Sequence, residues 1–61
     1  GKAMYEKIGD TLASRGDTIG AERAYRAAQN ALHCESPDFF NDFRRIQNKL
    51  VMVLETHHAL I

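Results

Sequence analysis

Tyr5-x-x-Ile8-Gly9-x-x-Leu12, then Gly16-Asp17-Thr18-Ile19-Gly20-Ala21, then Tyr25-x-x-Ala28 is the stretch that decides the fold. Residues three and four apart share one face of a helix, so Met4, Tyr5, Ile8 and Leu12 form one stripe and Ala21, Ala24, Tyr25, Ala28, Ala31 and Leu32 another. Gly16 is placed as a helix stop, where a left-handed backbone costs glycine little. Asp17 or Thr18 then offers a side-chain oxygen to the free N–H groups of the next helix. The spacing predicts a first helix over about 2–15 and a second over about 18–33, in close antiparallel contact. Gly9, Ala21 and Ala28 let the backbones approach, and Tyr5, Ile8, Leu12 and Tyr25 fill the space around them. Gly9 thus has a packing reason, whereas Gly20, in the first turn of the second helix, has none in the sequence.

Ser36-Pro37-Asp38 is a second start signal, with Ser as cap, Pro at the first helical position and an acid in the first turn. It predicts a third helix over about 37–58. Phe39, Phe43, Ile46, Leu50, Val53, His57 and Leu60 alternate steps of four and three, the seam of a heptad pattern. Beside that seam runs a second stripe of Phe40, Gln47, Val51, Leu54, His58 and Ile61. Together they cover roughly half the circumference at about 100° per residue, with Asn41, Arg44, Arg45, Asn48, Glu55 and Thr56 opposite. Either both earlier helices pack on this arc, or part of it meets another chain. The expected fold is all-α, a helical hairpin followed by a long amphipathic helix.

The 61 residues allow one small domain, and a chain this short buries only about 60% of the surface that its unfolded form exposes. Eight Lys and Arg balance eight Asp and Glu, so no general attraction to nucleic acid or to an acidic membrane is expected. The longest apolar run, Leu50-Val51-Met52-Val53-Leu54, is far short of a membrane span. A single cysteine, Cys34, rules out an internal disulfide and fits a reducing compartment, so a cytoplasmic location is expected. No secretory leader is read, and Gly1 in place of Met points to a processed chain or a cloning remnant.

From Tyr5 to about Leu32 the chain resembles one tetratricopeptide repeat, a helix–turn–helix unit of about 34 residues that scaffolds protein–protein contacts. Gly16-Asp17-Thr18-Ile19-Gly20-Ala21 is similar to that family's turn into its second helix, and Tyr25-Arg26-Ala27-Ala28 to that helix's middle. The resemblance covers a little under half the chain. It departs in two places: Pro37 comes about one helical turn later than the family's closing proline, and only one repeat is present, whereas about three or more usually share a core.

Chemistry finds little footing. No nucleophile motif and no phosphate-binding glycine loop occur, so no enzyme activity and no cofactor are expected. Glu6 and Asp10 are four apart and read as a solvated face beside Lys2 and Lys7. His33-Cys34 and His57-His58 close the second and third helices, but adjacent histidines point about 100° apart and the spacing matches no zinc finger. They are read as helix-end residues, not ligands.

The hairpin has one competing reading, a DNA-binding helix-turn-helix with Arg15, Arg23 and Arg26 near its second helix. Thr18-Ile19-Gly20 at that helix's entrance offers few base-reading side chains, Glu22 pairs with Arg26, and Arg44-Arg45 with Lys49 read as the back of an amphipathic helix. The chemistry therefore favours a protein–protein interaction module, an adaptor or small chaperone-like scaffold. Its partner is another protein or a second copy in a homodimer, with no nucleic acid and no membrane. Phe40, Phe43, Leu50, Val51 and Leu54 are expected to make the contact, with Tyr5 and Tyr25 shaping the hairpin groove.

Overall fold

The chain reverses direction at Gly16, whose φ of +83° makes it the one residue with positive φ among those described. The computed structural model describes residues 4–60, which form α1 (Met4–Ser14), α2 (Thr18–Asn30) and α3 (Phe39–Leu60), with no strand among them. The fold is all-α, with α1 packed on α2 and α3 packed on α2. Lys2 at the start of the expected first helix, the Leu60 side chain and Ile61 lie outside what is described.

Gly16 closes α1 as expected. Its N–H donates to the Ala13 carbonyl at 3.1 Å and the Asp17 N–H to the Leu12 carbonyl at 2.9 Å, the paired bonds that end a helix through a left-handed glycine. Asp17 then caps α2, its Oδ1 accepting from the Gly20 N–H at 2.9 Å. A Cβ on Gly20 would lie 2.5 Å from Asp17 Oδ2, so this glycine lets the capping carboxylate lie against the first turn. At Gly16 a Cβ meets nothing within 4 Å, and its cost is purely torsional. Gly16→Ala is therefore expected to lose about 1–2 kcal/mol, seen as a fall of several degrees in Tm by circular dichroism. An unchanged Tm would mean that the turn can find another backbone conformation.

The second helix is shorter than its periodicity suggests. Ala31 N–H reaches back to both the Ala27 and the Ala28 carbonyls, and Leu32 N–H to Gln29, a tightened last turn. This turn brings Leu32 in against the core while His33 and Cys34 stay exposed. Ser36 does accept from the Asp38 N–H, at 3.3 Å. Pro37 and Asp38 nevertheless belong to a turn, and α3 begins two residues later than Pro37.

The middle of the fold is α2, not α3. Ala24 is buried, and Ala21 and Ala28, completely buried, with Tyr25, nearly so, pack with Ile46, Leu50 and Val53 of α3, Leu12 and Ala13 of α1 lying beside them. Among the described residues Ile46 is the only large side chain fully buried. On α1 the residues turned inward are Gly9 and Glu6, whereas Tyr5 and Ile8 are more than two-fifths exposed. The expected inward stripe of α1 thus lies mostly on its flank, because Gly9 must face Tyr25 and that fixes the rotation of the helix. The Cα trace spans only 38 × 18 × 13 Å. The shortest of these spans exceeds the roughly 5 Å width of one helix's Cα cylinder, so the three helices form a bent layer in which α1 and α3 turn toward each other on one side of α2.

Candidate interaction surface

Three helices enclose too little volume to cover every large apolar side chain, and several stay in water. With Ile46 at the centre of α3's buried side, the 100° step places Leu50, Val53, Phe39 and His57 within about 40° of it. Ile46, Leu50 and Val53 are buried, and Phe39 and His57 half-buried. The second stripe turns away from this line: Phe40 is 80% exposed and Val51 40%, with Gln47 also exposed and Leu54 half-buried against the core. Phe43, expected in the seam, lies at its margin toward this stripe and is 38% exposed. Phe39 anchors the aromatic end of this stripe. Its ring lies 5.4 Å from Phe40 in an edge-to-face arrangement and 5.7 Å from Phe43, separations at which aromatic pairs attract.

Of the residues expected to meet a partner, Phe40, Phe43, Val51 and Leu54 share this outer stripe. Leu50 and Tyr25 are buried, 5% and 3% exposed, so they shape the surface from beneath and do not touch what lies on it. Tyr5 sits on the opposite edge of the layer, where Met4, Tyr5 and Ile8 form a second exposed apolar strip on α1. A shallow depression lined by Lys7, Ile8, Thr11, Leu12 and Arg15 continues that strip.

Between α1 and α3 runs a groove that sequence reasoning missed. Glu6 is buried, and its carboxylate accepts from Arg45 Nε at 2.9 Å, Arg45 Nη2 at 2.7 Å and Lys49 Nζ at 2.8 Å. Arg45 Nη1 donates to Asp42 at 2.9 Å. Lys49 also reaches Asp10 at 3.1 Å, and Asp10 accepts from the Tyr25 hydroxyl at 2.7 Å. The Arg45 fork holds the Glu6 carboxyl at about 2, well below the usual carboxylate range, with Lys49 assisting against the opposing effect of burial. Burial, then the bond to Asp10, pushes the Tyr25 phenol up, so it remains a donor. Arg45 and Lys49 are both driven further toward their charged forms by Glu6. Beyond this network Met52, 68% exposed, and Val53 continue the groove past Ala13.

Glu6 is therefore not part of a solvated face, whereas Asp10 stays exposed as expected, and Arg45 and Lys49 are not merely the back of α3. The readable signal was a matched spacing: both carboxylates and both cations stand four apart, and Glu6–Arg45 and Asp10–Lys49 share one sequence separation of 39. Equal separation means that α1 and α3 run parallel in register, with antiparallel α2 between them. Three of the basic residues are thus committed: Arg45 and Lys49 in this network, and Arg26, which pairs with Glu22 at 2.9 Å.

The histidine pairs fall at opposite ends of the layer. His57 Nδ1 lies 3.4 Å from the Thr18 hydroxyl at the start of α2, whereas His33 follows the end of that helix, roughly 20 Å away at 1.5 Å per residue. Among the described residues no group of three or more His, Cys, Asp or Glu could hold a metal ion, and no helix is long and apolar enough to cross a membrane. No protein-family model matches the chain, and neither a curated protein nor a solved structure matches it.

Proposed function

We propose that the chain is a protein–protein interaction module of the tetratricopeptide type, an adaptor or small chaperone-like scaffold that works in the cytoplasm without catalysis, cofactor or metal. One observation carries this reading: a small three-helix fold whose two outer helices both expose large apolar side chains, led by Phe40 at 80%. Exposed apolar strips that continue a core favour a further surface, and a repeat unit cannot bury its face without a neighbour.

The family reading draws support from spacing and contact together. Tyr5-x-x-Ile8-Gly9-x-x-Leu12 and Ala21-x-x-x-Tyr25 follow the family's aromatic–aliphatic–glycine and Ala–aromatic pattern. The point where that pattern requires a small residue is where Gly9 meets the Tyr25 ring. In this reading α3, parallel to α1, stands where the first helix of a following repeat would stand. Its offset of 39 residues exceeds the usual spacing of about 34 by the longer connection that ends at Pro37 and Asp38.

The test is affinity capture with the folded chain beside its Phe40→Glu and Tyr5→Glu variants, each first checked for unchanged helicity. Proteins retained by the native chain and lost with one edge variant support the module and say which edge is used. Equal retention by all three, or a low-salt gel shift with DNA or RNA at micromolar chain, would set it aside.

A further inference from the structure

We propose that the outer stripe of α3 pairs with the same stripe of a second copy, antiparallel, about a two-fold axis that passes Gln47. The inference rests on the interaction-module reading and names its partner. Taken from Gln47, the stripe places Phe40 at −7, Phe43 at −4, Val51 at +4 and Leu54 at +7. An antiparallel mate reverses these signs, so Phe40 meets the second copy's Leu54 and Phe43 its Val51, while the two Gln47 side chains face each other on the axis. A stripe that reads the same in both directions is what an isologous interface requires.

All five positions fall within an arc of about 80° at 100° per residue, roughly 100° from the buried line through Ile46. A second helix can therefore cover them without displacing α2. The stripe itself carries no charge. Along its solvent margin Arg44 precedes Gln47 and Glu55 follows it, so antiparallel pairing brings Arg44 of each copy toward Glu55 of the other on the same margin, whereas a parallel two-fold would put the two margins on opposite sides of the contact. Gln47 suits the axis: its Oε1 accepts from Gln29 Nε2 at 2.6 Å and keeps a second lone pair for an amide N–H of the facing Gln47, to whose Oε1 it can donate in turn. One polar residue within an apolar stripe fixes register.

The size of the contact sets its strength. Phe40 alone offers on the order of 150 Å², and the stripe with its margins buries on the order of 1,000 Å² across both copies, the lower edge of specific interfaces. A contact at that lower edge fits a reversible dimer, not a permanent one.

Sedimentation equilibrium on the full chain from micromolar to millimolar concentration should fit a monomer–dimer equilibrium with a plateau at twice 6.9 kDa. Phe40→Ala should weaken dimerisation by about tenfold or more with helicity kept, because Phe40 contributes little to the core. In a Cys34→Ser background, Gln47→Cys should oxidise to a disulfide dimer, whereas Met52→Cys, which faces the α1 side, should not. A mass that stays monomeric, equal cross-linking by both variants, or a mass that climbs without plateau overturns the proposal; the last would mean α3 stacking on α1 of the next copy. A monomeric chain that still retains other proteins through Phe40 overturns the self-pairing and leaves the module intact. A monomeric chain whose edge variants change no retention overturns both.

Discussion

Gly9→Ala is expected to destabilise the fold by about 1–3 kcal/mol, lowering Tm by roughly 5–15 °C for a chain of this size. The direction is the opposite of what helix propensity dictates, since alanine gains about 0.5–1 kcal/mol over glycine in a helix interior. Sterics decide the sign. A Cβ at Gly9 would lie 2.6 Å from Tyr25 Cε1 and 2.7 Å from Cδ1, far inside contact distance. The ring cannot swing aside cheaply: Tyr25 is 3% exposed, packed among Ala21, Ala28 and Leu50, and tied at its hydroxyl to Asp10. Relief requires α1 to move away from α2, which opens the closest approach in the hairpin. Thermal melts of the two chains at neutral pH settle the matter, and a variant as stable as the parent would mean that Tyr25 does not pin α1. Ala28→Leu, at a position with no exposed surface, should act in the same direction for the same reason.

That contact shows how much of the fold was legible. Gly9, Gly16, Asp17, Ala21 and Ala28 each have a local reason that one helix or one turn reveals, so the hairpin and its turn can be read from spacing alone. The seam of α3 was legible for the same reason: Ile46, Leu50 and Val53 repeat at heptad intervals and all three are buried. The rotation of α1 was not. Tyr5 and Ile8 looked like core because they are large and periodic, yet the helix turns its smallest residue to α2 and leaves them on the flank. Leu50 and Phe40 carry equally strong apolar signals, and only the third dimension assigns one to the core and the other to the surface.

The polar groove was the harder case. On α1, a glutamate and an aspartate four apart beside lysines look like any solvated face, and on α3 an Arg and a Lys four apart look the same. Each pattern is ordinary alone. Their meaning appears only once α2 has brought the two helices side by side in parallel register. The burial of Glu6 then follows from its three donors, because a buried carboxylate persists where charge-assisted bonds replace its water.

Removing that carboxylate's charge is expected to loosen α1 from α3. The folded-state value of Glu6, about 2, lies below its ordinary 4.5, so its stabilisation is complete above about pH 4.5 and drains away as pH falls toward 2. At about 1.4 kcal/mol per unit the shift corresponds to roughly 3 kcal/mol. Solvent screening of the half-exposed Arg45 reduces this to about 2 kcal/mol. Glu6→Gln should therefore melt several degrees or more below the parent at pH 7, and the gap should narrow as both are taken to pH 3. The parent's acid sensitivity sums over all its carboxylates, so on its own it proves nothing. The difference between the two chains isolates Glu6. Raising the salt should erode the gap only partly, because the carboxylate is buried even though Arg45 and Lys49 reach water. If Glu6→Gln lost stability on acidification as steeply as the parent, the acid-labile group would lie elsewhere and the ion network would be decoration on a layer held by α2 alone. If the gap closes, Glu6 is the tie that sets α1 beside α3, and the width of the groove between them depends on one proton.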